Sequence, residues 1–171
     1  SEMLSQLARD VHMPVILPLS NPRLHAEAEP QDIIDWTQNK AFIATGSPFE
    51  PCYHGEHKIV VGQCNNIFAF PGIGAGMVAA QATHLTDKML VAASMAIRDY
   101  IVYQGYSNLT IMPNIAELAD VTKSVATAVS EQANTDGVAR RSAEETKIIL
   151  QQNFWLPEYL PYYNHDENMN K

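Results

Sequence analysis

An α/β fold is predicted, a short parallel sheet with flanking helices that gives way to a helical C-terminal region. Three observations predict it. Two apolar runs, Val15-Ile16-Leu17-Pro18-Leu19 and Ala41-Phe42-Ile43-Ala44, have the length of buried strands. A helix-forming segment lies between them, as two parallel strands require of their connection. Beyond residue 66, four segments carry apolar residues at three- and four-residue intervals.

The elements follow in chain order. Met3, Leu4, Leu7, Ala8 and Val11 recur at helical spacing, and Pro14 then opens the first apolar run. From Pro30 to Asn39 a helix is expected, with proline at its first position and Ile33, Ile34 and Trp36 near one face. Residues 50–57 read as a polar hairpin or loop, and Lys58 to Val61 as a further short strand leading to Gly62-Gln63-Cys64-Asn65-Asn66. Helices are expected over 66–82, 86–103, 114–134 and 142–155. Thr86, Asn114 and Ser142 are their candidate N-caps, and Ser142-Ala143-Glu144-Glu145 is a capping box. The polar stretch Tyr163 to Lys171 is expected to fray.

Composition narrows the function. With 46% hydrophobic and 18% charged residues in 171, the chain has the makings of one globular unit and not of a disordered tail. A formal net charge of −8 offers no clustered basic surface, which excludes nucleic acid and anionic membrane as expected partners. No apolar run reaches the roughly 18 to 20 residues that span a bilayer, and Ser1-Glu2-Met3 opens no signal peptide, so a soluble cytoplasmic protein is expected. Cys52 and Cys64 are the two cysteines, and their spacing spells neither a disulfide framework nor a zinc site.

Three segments are candidate binding loops. Leu19-Ser20-Asn21-Pro22 leaves the C-terminal end of the first apolar run, where open α/β sheets form their ligand crevice. An asparagine there offers an acceptor and two donors at once, suited to a carboxamide or a hydroxy acid, although from spacing alone an Asx turn before proline is the plainer reading. Ala44-Thr45-Gly46-Ser47-Pro48-Phe49 leaves the second run and places Ser47 and the Gly46 backbone beside the first loop. Asn65 and Asn66 sit ahead of a helix, where side-chain and backbone donors together suit a carboxylate, and where N-capping is the plainer role.

Gly72, Gly74 and Gly76 do not make a phosphate-binding fingerprint, since Met77 occupies the place of the needed glycine. Together with Ala75, Ala79 and Ala80 they are expected to let a helix approach its neighbour closely. The six histidines show no nucleophile or metal geometry, and His54 and His57 are their closest pair. No catalytic and no metal-binding residue is therefore expected in this chain.

The strings LSNP, WT-x-x-x-AFIATGSPF and GQCNNIFAFPGIGAG, followed by HLTDKMLVAA and NFWLPEYLPYY, resemble in words, order and spacing the C-terminal region of malic enzymes. The tail string is similar to the bacterial NAD-linked branch. The resemblance implies a partial Rossmann-type parallel sheet with flanking helices and a helical C-terminal tail. It divides the chain into residues 1–155, the C-terminal part of an NAD-binding domain, and a tail over 156–171.

The resemblance further implies oxidative decarboxylation of L-malate to pyruvate and CO2, with NAD and a divalent Mg or Mn ion. Asn21, with Ser20 and Ser47, is implied to bind the cofactor near its nicotinamide end, and Asn21, Asn65 and Asn66 to bind malate. The family's acid Tyr, base Lys, metal ligands and glycine-rich dinucleotide turn are implied to lie ahead of Ser1, so the chain is expected to be an inactive fragment of a longer protein. A homo-oligomer is expected, tetrameric in the intact family, with the aromatic stretch Trp155 to Tyr163 as a candidate contact. Two departures stand out: Arg23 replaces a small polar residue, and Cys64 a common glycine. The alternatives are a malolactic enzyme, which would release lactate, and a non-catalytic nucleotide-binding or interaction module.

Overall fold

The computed structural model describes residues 1–105 and 111–152. Helix α1 (Glu2–Asp10) leads into strand β1 (Val15–Ile16), and α2 (Pro30–Thr37) carries the chain over to β2 (Phe42–Thr45). Strands β1 and β2 pair in parallel, with Val15 opposite Phe42. The expected strand–helix–strand unit is present, although β1 spans less of its apolar run than the sequence suggests.

The hairpin expected over 50–57 is present, and the short strand expected over Lys58 to Val61 is its second arm, displaced towards the turn: β3 (Cys52–His54) and β4 (His57–Ile59) pair antiparallel, and Gly62–Gln63, not expected as a strand, becomes β5, parallel to β2. The sheet order is β1-β2-β5. A two-residue strand made of glycine and glutamine carries no apolar run by which to recognise it, so its pairing with Ala44 and Thr45 is set by the fold around it.

Helix α2 shows how sequence sets a local end. Pro30 at its start has the helical φ already, and its stop needs two left-handed residues, Gln38 and Asn39, whose φ values are 52° and 57°. The Asn39 amide donates back to the Ile34 carbonyl at 2.9 Å, closing the last turn. The buried face is Ile33, Ile34 and Thr37, against Ile43, Cys52 and Ile59; Trp36 is only half-buried. Each isoleucine so buried contributes about 1.5–3 kcal/mol relative to exposure. The Gln31 amide accepts from the Tyr53 N–H and donates to the Tyr53 carbonyl, both at 2.9 Å, which pins the hairpin to α2.

A second core is helical. After a 3-10 turn at Asn66–Phe68 come α3 (Phe70–Ala80), α4 (Asp87–Tyr103), α5 (Leu118–Thr135) and α6 (Ala143–Gln152). The expected caps hold: Thr86 accepts from the Met89 amide, Asn114 completes a capping box, and Ser142 and Glu145 bond reciprocally. The Asn114 box opens a 3-10 turn, and α5 itself starts four residues on.

Helix α5 is the hub. Val121, Val125 and Val129 repeat every four residues and are fully buried, and α3 packs on them through glycine gaps. A Cβ on Gly72 would lie 2.5 Å from Val125 Cβ, and one on Gly76 would lie 2.6 Å from the Ala126 carbonyl oxygen and 3.0 Å from Val129 Cβ. The close approach expected of the small residues is therefore made by Gly72 and Gly76. Gly74 faces open space and takes no part in it.

Candidate functional site

Because β1 and β2 run in parallel, both leave the sheet at the same end, and their exit loops lie side by side. The Gly46 amide donates to the Pro18 carbonyl at 3.1 Å, extending the strand pairing into the loops. No side chain fits at Gly46, since a Cβ there would lie 2.2 Å from the Leu19 carbonyl oxygen. The two loops are thus in backbone contact, and the next residue, Ser47, donates its hydroxyl to Asn21 Oδ1. Thr45, buried beneath them, donates to the Ser47 carbonyl at 2.8 Å and holds that turn in place.

The third strand end closes on the same point. The Cys64 amide donates to the Thr45 carbonyl at 2.8 Å, and the Gly46 carbonyl receives Gln63 Nε2 at 3.4 Å and Asn65 Nδ2 at 3.3 Å. Asn65 uses its other end as well: Oδ1 accepts from the Ile67 amide at 3.0 Å and caps the 3-10 turn. Asn21, Ser47 and Asn65 therefore surround one glycine, although they come from three separate loops. Asn21 is exposed, and with its Oδ1 taken by Ser47 its Nδ2 donors have no acceptor among the described residues.

The other two candidates stand apart. Ser20 turns to Glu27, its hydroxyl donating to Oε1 at 2.6 Å and its amide to Oε2 at 3.3 Å, and this hydroxyl holds the Glu27 carboxyl below the usual range. Asn66 is exposed and its side chain bonds to none of the cluster. His54 and His57 face each other across the hairpin, and among the described residues no group of three His, Cys, Asp or Glu is placed to hold a metal ion. Burial pushes both thiols up, that of Cys64 beside the cluster and that of Cys52 in the core, so neither is an activated nucleophile.

Sequence reasoning missed Gln63 and Arg23 as parts of this arrangement. Gln63 carried no signal, because its role follows from the β2–β5 pairing. Arg23 was visible only as a departure. Its guanidinium lies 4.5 Å from the Phe49 ring centroid and 3.1 Å from Glu29 Oε2, so it joins the loop after β1 to the loop after β2.

The family model described as malic enzyme, NAD binding domain, matches residues 1–134. The chain is 43% identical over 162 residues to an NAD-dependent malic enzyme of Psychromonas ingrahamii, and 40% identical over 164 residues to one of Pseudomonas aeruginosa. In both cases 94% of this chain is matched, and it spans 29% of the relative's length. Among solved structures, the malic enzymes of Entamoeba histolytica and Pyrococcus horikoshii each superpose with a TM-score of 0.59 at 26% identity. They are matched over 83% and 86% of this chain and over 26% and 32% of their own. These names do not favour the malolactic alternative.

Proposed function

Because this chain belongs to the malic enzyme family, as an NAD-binding domain of that family, we propose that it serves an NAD-dependent oxidative decarboxylation of L-malate to pyruvate and CO2. The observation that carries the reading is the gathering of Asn21, Ser47 and Asn65 around Gly46 at the carboxyl ends of adjacent parallel strands, where sheets of this kind bind ligands. Bound NAD would supply the hydride acceptor.

This chain's part is to orient. Ser47 fixes the Asn21 amide so that its free N–H groups serve a carboxamide or carboxylate oxygen at the nicotinamide end. Asn65 is held by two bonds of its own, and with the exposed Asn66 it lines the malate side. Ser20 contributes through the backbone of its loop, since its hydroxyl is committed to Glu27. The divalent ion, Mg or Mn, finds no ligand group among the described residues, and no role in holding it is assigned to them.

We further propose residues 1–155 as the domain proper and 156–171 as a tail, a boundary that lies outside the described residues together with the Trp155 to Tyr163 stretch. A homo-oligomer in the cytoplasm completes the proposal. The free thiols Cys52 and Cys64 and the exposed Val15, Leu17 and Leu19 of the β1 edge support it, and among the described residues no helix is long and apolar enough to cross a membrane.

The test is a chimaera in which this chain replaces the matching 29% of the Psychromonas ingrahamii relative. Malate-dependent formation of NADH and pyruvate is expected. Asn21→Ala and Ser47→Ala should each weaken NAD or malate use while leaving the melting temperature close to that of the unsubstituted chimaera. Lactate without NADH, or full activity in both variants, would refute the assignment.

A further inference from the structure

The loops that leave β1 and β2 are tied to each other at three successive points. The first is the backbone bond from the Gly46 amide to the Pro18 carbonyl at 3.1 Å, and the second is the Ser47 hydroxyl on Asn21 Oδ1. The third lies two residues further along each loop, where the Arg23 guanidinium stands over the Phe49 ring at 4.5 Å from its centroid. Asn21 and Ser47 are therefore held between one tie on the sheet side and one on the outer side.

The outer tie is made by side chains that the local backbone does not need. Arg23 opens the 3-10 turn Arg23–His25, which closes through its own main chain, the His25 amide donating to Pro22 and the Ala26 amide to Arg23. The guanidinium is thus free to reach out of the turn. It covers Phe49 and donates through Nη2 to Glu29 Oε2 at 3.1 Å, directly ahead of α2. A planar cation can bond in its plane and stack through its face at once, which an ammonium cannot do.

The consequence falls on Asn21. That residue is exposed, and its side chain is fixed through Oδ1, so the amide would swing with Ser47 if the two loops parted. A tie on the outer side keeps the loops at one separation, and the Nδ2 donors then keep one direction before any ligand arrives. Donors ordered in advance bind more tightly, because less ordering is left to binding itself.

We propose that Arg23 is a positioning residue: clasped to Phe49 and braced by Glu29, it holds the Asn21 amide in its orientation toward NAD and malate. The inference rests on the function proposed above and deepens it, since Arg23 acts through Asn21 and not on the ligand.

Calorimetric titration with NAD and steady-state malate kinetics, both on the chimaera described above, test it. Arg23→Ser reaches neither Phe49 nor Glu29. It should weaken NAD binding and raise the KM for malate by about two- to fivefold, the range that an exposed cation–π contact can return, with kcat changed less than about twofold. Phe49→Leu should match it, and Phe49→Tyr, which keeps the ring face, should recover most of the loss, all three melting close to the parent chimaera. In an Asn21→Ala background Arg23→Ser should change neither quantity further, because the group it positions is gone, whereas a merely structural contact would cost the same in both backgrounds. A loss that persists in that background, or that Phe49→Leu does not share, overturns the positioning role. So does an Arg23→Ser chimaera equal to its parent while Asn21→Ala is impaired, a result that leaves the function reading standing. A folded chimaera in which Asn21→Ala itself changes nothing overturns the function reading and this inference together.

Discussion

Replacing Gly46 by alanine tests how tightly the two strand-exit loops are locked together. The added Cβ would lie 2.2 Å from the Leu19 carbonyl oxygen and 2.7 Å from its carbonyl carbon, where an ordinary contact begins at 3.4 Å, so one backbone must retreat by about 1.2 Å (3.4 less 2.2). Gly46 has no positive φ, so the cost is one of space and not of backbone conformation. Neither side can yield cheaply, because both are main chain and the Gly46 amide is bonded to Pro18 across the same gap. Overpacking of this kind costs about 1–3 kcal/mol, and losing the Gly46–Pro18 bond adds about 1 kcal/mol. A loss of roughly 3 kcal/mol should lower the melting temperature by about 6–12 °C for a chain of this size. Urea and thermal unfolding followed by circular dichroism measure it. The alanine would also lie 3.2 Å from Asn21 Nδ2, so the Ser47–Asn21 bond should loosen, and any NAD affinity should fall with the stability. A Gly46→Ala chain that melts within about 2 °C of wild type would refute the claim that backbone contact holds the site together.

Three further outcomes are expected. Gly72→Ala drives a methyl to within 2.5 Å of Val125 and should cost about 1–3 kcal/mol, whereas Gly74→Ala meets nothing within 4 Å and should stabilise α3 by up to about 1 kcal/mol; paired urea titrations compare them. Phe68→Ala empties a side chain that is 1% exposed in the helical core, and a loss of about 3–5 kcal/mol is expected from the denaturation midpoint. Asp136 accepts from Thr86 at 2.6 Å, which chiefly holds its carboxyl below the ordinary aspartate range; Gln132 at 2.8 Å and Lys88 at 3.6 Å add to this, and burial opposes it. A carboxyl depressed on folding contributes stability above its unfolded value, and that stability is lost as pH falls through the folded one. Asp136→Asn should therefore weaken the chain at pH 7 and flatten its acid unfolding limb below about pH 4, as read from urea midpoints across pH. The limb should not vanish, because Glu27 and Glu145 are depressed in the same sense, each by bonds to a nearby serine.

Much of the fold was legible because periodicity reports burial. The four-residue recurrence of Val121, Val125 and Val129 marks a buried helix face by spacing alone, and the caps at Thr86, Asn114 and Ser142 follow from side-chain chemistry within one turn. What periodicity omits is the partner. The small residues of α3 announced a close approach, yet only the packing against α5 distinguishes Gly72 and Gly76, which need to be glycine, from Gly74, which does not. Lys58 to Val61 reads as a short strand, and Lys58 and Ile59 do lie in one, the second arm of the hairpin. The sheet pairing belongs to Gly62–Gln63.

The sequence by itself determined the α/β class, the crossover between two parallel strands, the run of helices with their caps, and the asparagine-bearing loops as the place to look. Only the tertiary structure decided that Asn21, Ser47 and Asn65, whose positions span 45 residues (65 less 21, inclusive), meet around Gly46 while Ser20 and Asn66 do not. The physical reason is that local chemistry acts over one turn of chain. Contacts between strand exits depend on which strands pair and in which direction, and that is a property of the assembled sheet.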